Sequence, residues 1–468
     1  MTTFLVIAIL AGLYMSWNIG ANDAANAIGT SVGSGALTLG AAVLIAAVFE
    51  FAGAFLFGSS VSETLQEGIV IIENFRDTPN ILAKGMLSAL LATGLWLQIA
   101  SYFRLPVSTS HSIVGAIIGF GLVNGGVETL HLKTISTIGL GWVISPLLGA
   151  SFAYLIFTNI RKKIFFADDP VRATKKCMPY IVAFSLTTFS TILILRGLHG
   201  VEFSTLTTLF TISAIGLISF FTTKLLLLRA LPINSSPIDR AVNPSALTAL
   251  NKSIKHLNRL NILSRGKLQY QTALLLEEAN NLKKFLDQQE QKIATNGDFN
   301  KIEKIFARLQ IITACFMAFS HGANDVANAI GPLSACIAII LNGFDGLQNQ
   351  MSPYVLMLGG VGIILGLTTW GWRVIETIGK KITELTPSRA FAAELGASTT
   401  VAFASSLGLP ISTTHTLVGA IFGIGIARGM YALNTKILKE ILYSWIITIP
   451  AGALLSVVFF KILMAINL

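Results

Sequence analysis

The stretch GANDAANAIG, Gly20–Gly29, follows directly on a run apolar enough to lie in a lipid bilayer. It sets Asn22, Asp23 and Asn26 where hydrocarbon is expected. The string returns at Gly322–Gly331 as GANDVANAIG, changed only from Ala24 to Val326. A second string is also duplicated. LPVSTSHSIVGAIIGFG (Leu105–Gly121) matches LPISTTHTLVGAIFGIG (Leu409–Gly425) at 11 of 17 positions. The offset is 302 residues for the first motif and 304 for the second. Two motifs in one order at nearly one offset define two homologous halves, 1–158 and 304–468. Between them lie two apolar segments within 159–230 and a polar insert, 231–303.

Composition sets the class. Of 468 residues, 53% are hydrophobic and 12% charged, about half the roughly 25% charge of a soluble protein. Mean hydropathy is +0.70, and apolar runs near the ~20 residues needed to cross a bilayer recur along the chain. The expectation is an all-α polytopic membrane protein. The N-terminal apolar run lacks a basic leader, so it reads as a first membrane segment rather than a signal peptide.

The net charge of +10 does not point to nucleic acid, because the basic residues gather in a few polar segments. Residues 229–308 alone hold 13 Lys and Arg against 7 Asp and Glu. Excess Lys and Arg in loops marks the cytoplasmic side. Cys177, Cys315 and Cys336 form no spaced pair that would suggest a disulfide framework or a zinc site. In the insert, Leu247, Leu250, Ile254, Leu257 and Leu260 recur at helical spacing, and a second helix is expected through TALLLEEANNLKKFLDQ, ended by TNGD. Two roles are open for this pair: a cytoplasmic linker, or a regulatory or dimer-contacting element that would make a homodimer.

In the first half, apolar segments lie near 2–18, 20–36, 38–58, 82–102, 107–125 and 136–158. If the GAND segment is re-entrant and the other five cross, positive-inside is obeyed in both halves, with Lys84 as the exception. The termini then lie outside and the insert in the cytoplasm of a multi-pass cell-membrane protein. Five crossings per half make the halves an inverted repeat, with about 12 transmembrane helices in all and re-entrant or broken helices carrying the motifs.

An ionisable residue at the centre of a membrane helix costs about 2.5–3.5 kcal/mol on insertion scales, so Asp23 and Asp325 need a role. Small residues surround both. A break in the backbone there would free carbonyls, and the Asn and Asp side chains would add oxygens suited to a hard cation. In the second motif, Pro106 and Pro410 precede Ser108-Thr109-Ser110 and Ser412-Thr413-Thr414. These triplets read as the capped starts of helices, whose free N–H groups favour an oxyanion. Inverted-repeat transporters place substrate and coupling ions at such helix ends near the midplane. The bland alternative is that Asn, Ser and Thr only join helices. His111, His321 and His415 read equally as structural histidines or proton carriers. Glu50 and Glu394 fall within membrane segments as candidates for an ion pathway, and the remaining membrane Ser and Thr read as packing.

These four strings resemble the signatures of the inorganic phosphate transporter (PiT) family. The similarity covers both halves but not the insert. It implies that Asn22, Asp23, Asn324 and Asp325, with Ser108, Thr109, Ser110, Ser412, Thr413 and Thr414, line phosphate and cation sites. With the oxygen-rich first motif, one sodium site is expected from Ala21, Asn22, Asp23, Asn26 and Thr109. A second is expected from Ala323, Asn324, Asp325, Asn328 and Thr413. The resemblance also implies that Glu50, Glu394 and His321 matter to transport.

Charge balance supports coupling independently. No Lys or Arg lies within the four motifs, and a low-dielectric site cannot hold phosphate and two carboxylates unpaired. Cations must enter with the anion. The expectation is a non-enzymatic sodium-coupled phosphate importer with no organic cofactor. Proton coupling, a metal–phosphate substrate, a sulfate permease of the same family and an anion channel remain the alternatives. An intramembrane aspartyl protease would also need two membrane aspartates, but no Gly-x-Gly-Asp string is present.

Overall fold

The structure, a computed structural model, describes residues 2–167, 169–195, 204–230, 244–294, 297–348, 351–376, 385–428 and 435–466. Seventeen α-helices occur among them. In the first half these are α1 (Thr2–Gly33), α2 (Leu39–Phe57), α3 (Ser59–Glu67), α4 (Pro79–Tyr102), α5 (Thr109–Gly125) and α6 (Leu132–Ile160). Then come α7 (Pro170–Leu195), α8 (Thr205–Ala230), α9 (Pro244–Leu263) and α10 (Lys267–Ala294). The second half holds α11 (Gly297–Asp325), α12 (Ala327–Asn342), α13 (Pro353–Thr369), α14 (Trp372–Glu376), α15 (Pro387–Ser406), α16 (Thr413–Arg428) and α17 (Thr435–Ala465). The one β contact among the described residues is an isolated bridge between Val70 and Leu130. Within lipid only helices or closed barrels satisfy their own backbone, and here helices do so. Eight stretches of helix among the described residues are long and apolar enough to cross a membrane.

Two compact units divide the chain. One comprises 1–157, 184–216 and 306–468; the other comprises 158–183 and 217–305. The expected junction at 303/304 falls inside α11, which runs without interruption from 297 to 325. In the second unit α9 packs against α10, both falling where the insert's periodicity places helices.

The first unit is held by small residues, as expected where lipid offers no hydrophobic drive for helices to associate. A methyl group at Gly366 of α13 would fall on the Trp17 carbonyl and the Ala21 nitrogen of α1. One at Gly53 of α2 would fall on the Phe319 carbonyl and the Ala323 nitrogen of α11, residues 302 positions further on. Gly115 and Gly119 of α5 meet the Ile449 and Ala453 carbonyls of α17, while Gly419 and Gly423 of α16 meet those of Pro146 and Ala150 in α6. The same contacts thus occur twice, and the second motif of each half packs on a helix of the other. Leu140, Val143 and Leu147 of α6 and Ile446, Leu454 and Val458 of α17 remain exposed, as apolar faces suited to lipid.

One expectation fails here. A crossing segment at 2–18 followed by a separate re-entrant segment at 20–36 does not form. Residues 2–33 make one helix of 32 residues, about 48 Å at 1.5 Å per residue. No proline interrupts it, and the motif side chains Asn22, Asp23 and Asn26 bond to one another or to other segments rather than competing for its own backbone. The second copy is interrupted only at Val326, whose φ −57° and ψ −34° are helical values. Its N–H still reaches the Gly322 carbonyl at 3.4 Å.

Candidate transport site

The continuous backbone changes the chemistry of the first motif. Ala21 lies inside α1, where its carbonyl belongs to the helix ladder, so the break expected to free it is absent. The polar atoms on offer come from side chains. Asp23 Oδ1 accepts from Asn26 Nδ2 at 2.9 Å and Thr414 Oγ1 at 3.2 Å, and its Oδ2 accepts from Thr109 Oγ1. Asp325 Oδ2 accepts from Thr413 Oγ1 at 2.6 Å and lies 3.0 Å from His321 Nε2. One ligand atom each from Asp23, His321 and Asp325 falls within 4.8 Å of the others. All three side chains are buried.

The second motif closes this cluster with two helix starts. Ser108 Oγ accepts the His111 N–H at 3.2 Å, and Ser412 Oγ accepts the His415 N–H at 3.1 Å, so both serines cap as the sequence predicts. The two starts are tied together. Ser110 Oγ donates to the Ile411 carbonyl at 2.9 Å, and Thr414 Oγ1 donates to that of Val107 at 3.2 Å. The first motif of each half then reaches the second motif of the other: Asn26 Nδ2 to Thr414 Oγ1 at 2.7 Å, Asn328 Nδ2 to Ser110 Oγ at 3.2 Å. Two capped helix N-termini, each carrying roughly half a positive charge, therefore converge on two aspartates.

Bonding among these groups uses the donors and leaves acceptors. Asn26 Oδ1, Asn324 Oδ1, Asn328 Oδ1 and Asp325 Oδ1 are buried without a hydrogen-bond partner among the described residues. An unpaired buried acceptor costs about 1–3 kcal/mol. Unpaired oxygens of this kind are what a hard cation would satisfy.

Several expected residues have other duties. The Asn22 amide donates to Ser101 Oγ at 2.9 Å and to the Leu105 carbonyl at 3.2 Å, while its oxygen accepts the Val107 N–H at 3.3 Å. Asn324 repeats the pattern with Ser405 Oγ and the Leu409 carbonyl at 2.9 and 3.2 Å. Both asparagines hold the turn before Pro106 or Pro410, and so set where each helix begins. Ser101 and Ser405 escaped the sequence reading, although they stand 304 residues apart, the offset of the second motif.

Glu394 stands apart from the aspartates. Its Oε1 accepts from Thr30 at 2.5 Å, Ser31 at 2.6 Å and Gln310 Nε2 at 3.1 Å, and its Oε2 from Thr313 at 2.7 Å. The reading of the remaining Ser and Thr as packing is thereby corrected for Thr30, Ser31 and Thr313. Gln310 and Thr313, three apart and so on one helix face, were the available signal. His111 and His415 meet each other with ring centroids 4.2 Å apart, flanked by Trp142 and Trp445 at 3.9 and 3.5 Å.

The halves differ where function could need it. Glu50 Oε1 lies 3.1 Å from His321 Nδ1, so a Glu50–His321–Asp325 chain leads to one aspartate. At Asp23 the residue 302 positions before His321 is Ile19. The α13 residue whose backbone meets Gly20, as that of Glu50 meets Gly322, is Ile363. Around Glu394 the matching positions are Leu90, Pro332, Leu333, Ala8 and Ala11, all but Pro332 in one apolar cluster. Each aspartate thus accepts from the threonine of its own half, Thr109 or Thr413, but only Asp23 also accepts from the other half, through Thr414, and the two are unequal in what stands behind them.

Comparison with known proteins follows the same lines. Residues 19–456 match the Phosphate transporter family. A protein of Chlamydia pneumoniae named "Putative phosphate permease" is 44% identical over 468 residues, with 99% of each chain covered. The chloroplastic inorganic phosphate transporter 2-1 of Arabidopsis thaliana is 42% identical over 455 residues, covering 96% of this chain and 70% of that one. A solved structure described as the sodium-dependent phosphate transporter superposes with a TM-score of 0.78 at 35% identity, covering 99% of this chain and 100% of the other. With both duplicated strings inside the matched region, the chain belongs to the phosphate transporter family.

Proposed function

We propose that this protein is a secondary transporter that imports inorganic phosphate together with sodium ions. The carrying observation is the juxtaposition of Asp23 and Asp325, with unpartnered buried oxygens around them, and the capped starts of α5 and α16. The helix starts suit the oxyanion, and Thr109, Ser110, Thr413 and Thr414 reach it by turning their hydroxyls from their present acceptors. Asp23 with Asn26 and Asp325 with Asn328 suit the cations. Sodium neutralises the aspartates that would otherwise repel phosphate, so neither substrate binds well alone. Ser108 and Ser412 contribute capping around these sites, Ala21 and Ala323 lie at the close helix contacts with Gly366 and Gly53, and Asn22 and Asn324 act by positioning.

The twice-occurring contacts, crossed between halves, support reading 1–158 and 304–468 as an inverted repeat. In that reading the membrane is crossed about 12 times, both termini lie outside and the 231–303 insert is cytoplasmic. A second reading, proton coupling, is favoured by one observation, the Glu50–His321–Asp325 chain. Phosphate uptake into proteoliposomes separates the two. With equal pH on both sides, an inward sodium gradient drives uptake in the first reading and has no effect in the second. Sulfate as competitor tests the choice of anion.

A further inference from the structure

The second compact unit carries a helical hairpin that the transport site does not use. From Pro244 to Leu276, through α9, the turn and the start of α10, the chain has Lys252, Lys255, Arg259, Arg265 and Lys267 and no acidic residue. One face of α9 is spent on the hairpin itself, with Ile254, Leu257 and Asn261 half-buried and Ser264 buried. At the tip, however, large apolar side chains point outward. Ile262 and Leu263 are each 81% exposed, and Leu260, Leu268 and Tyr270 are exposed as well. Gly266, at φ +63°, makes the tight turn that brings Arg265 and Lys267 to the same end.

We propose that this hairpin tip docks on the surface of an anionic bilayer, with Ile262, Leu263 and Leu268 inserted among the headgroups and Arg259, Arg265 and Lys267 on their phosphates. Three features select the lipid surface over other occupants. Basic residues beside exposed Leu, Ile and Tyr are the composition of interfacial segments, whose apolar side enters the headgroup region while Lys and Arg meet anionic lipid. A nucleic acid would use the charges but not two fully turned-out aliphatic side chains at a helix end. The chain is also held in a bilayer by the membrane-length helices α8 before the hairpin and α11–α12 after it. Docking is then an intramolecular event at high effective concentration, for which a small tip suffices. Such a contact would make the carriage of the insert depend on the lipid charge around the transporter.

The test uses the full-length protein with Cys177, Cys315 and Cys336 replaced by Ser and Ile262→Cys labelled with an environment-sensitive fluorophore. It is reconstituted into vesicles of phosphatidylcholine alone or with phosphatidylglycerol. In anionic vesicles the emission shifts to the blue and is quenched by bromine-labelled acyl chains. Both effects fade at high salt, where surface charge is screened. Replacing Arg259, Arg265 and Lys267 together by Gln lowers the ratio of docked to free hairpin roughly a hundredfold, while phosphate uptake in neutral vesicles reports that the variant is folded. Equal, water-like emission in both vesicle types overturns the proposal. So does a blue shift without bromolipid quenching, which would place the tip against protein, such as a second copy of the chain.

Discussion

Asp23→Asn separates the cation role of the first motif from its structural role, because the structure lets the fold survive the change. Asp23 accepts three hydrogen bonds, from Asn26, Thr414 and Thr109. An asparagine keeps an oxygen for Asn26 and Thr414, and turns its amide toward Thr109, whose hydroxyl can accept instead of donate. The bonds persist in kind and only the charge is lost. A hydrogen bond or ligand contact to a charged group contributes about 1.5–3 kcal/mol, against about 0.5–1.5 for a neutral one. The difference, about 1–1.5 kcal/mol, should therefore weaken sodium by roughly fivefold to tenfold. The assay is sodium-dependent phosphate uptake in proteoliposomes, reading the sodium concentration for half-maximal rate, with thermal melting to show an intact fold. A half-saturating sodium concentration within twofold of wild type, in a protein that melts normally, would refute the assignment of Asp23 to the cation.

Asn324→Leu should strand the buried Ser405 hydroxyl at about 1–3 kcal/mol and the half-buried Leu409 carbonyl at less, lowering the melting temperature and raising the KM for phosphate more than the half-saturating sodium. An unchanged melting temperature would show that the turn before Pro410 stands without it. Glu394→Leu should lose uptake and destabilise together, since Thr30, Ser31, Thr313 and Gln310 all converge on that carboxylate; wild-type melting would mean that the four donors find other partners. Gly366→Ala should cost about 1–3 kcal/mol by overpacking, because its methyl group would fall on the Trp17 carbonyl, and thermal melting reads it directly. Gln271→Cys, exposed on α10, should react with an impermeant thiol reagent only after cells are opened; labelling of sealed cells would reverse the proposed topology.

The pairing of the two motifs within each half was open to reading because each polar string occurs twice in one order, whereas the crossed bonds from Asn26 to Thr414 and from Asn328 to Ser110 were not. Helix starts at Thr109 and Thr413 followed from Pro and Ser just before them, and local capping rules decide such ends whatever surrounds them. The unbroken helix through Gly20–Gly29 was not legible. Asn, Asp and Gly all lower helix propensity, yet here tertiary partners satisfy the side chains and α13 covers Gly20, so packing overrides the local signal. The division of labour between Asn22 and Asn26 was hidden for a related reason. Four residues apart, both lie on one face of α1, and only the position of the Leu105–Val107 turn shows that the first is spent on backbone. The nest around Glu394 draws on α1, α11 and α15, which no local pattern brings together, so Thr30, Ser31 and Thr313 read as ordinary helix packing.

The central claim is that Asp23 and Asp325 hold sodium so that phosphate can enter beside them. Its most direct test is radiolabelled phosphate uptake into proteoliposomes of the purified protein, at equal pH inside and out, with and without an inward sodium gradient. The expected result is saturable uptake that requires sodium, with the half-saturating sodium concentration raised in Asp23→Asn and Asp325→Asn. Uptake indifferent to sodium and driven by an acid-outside gradient alone would contradict it, and would make the Glu50–His321–Asp325 chain the coupling element.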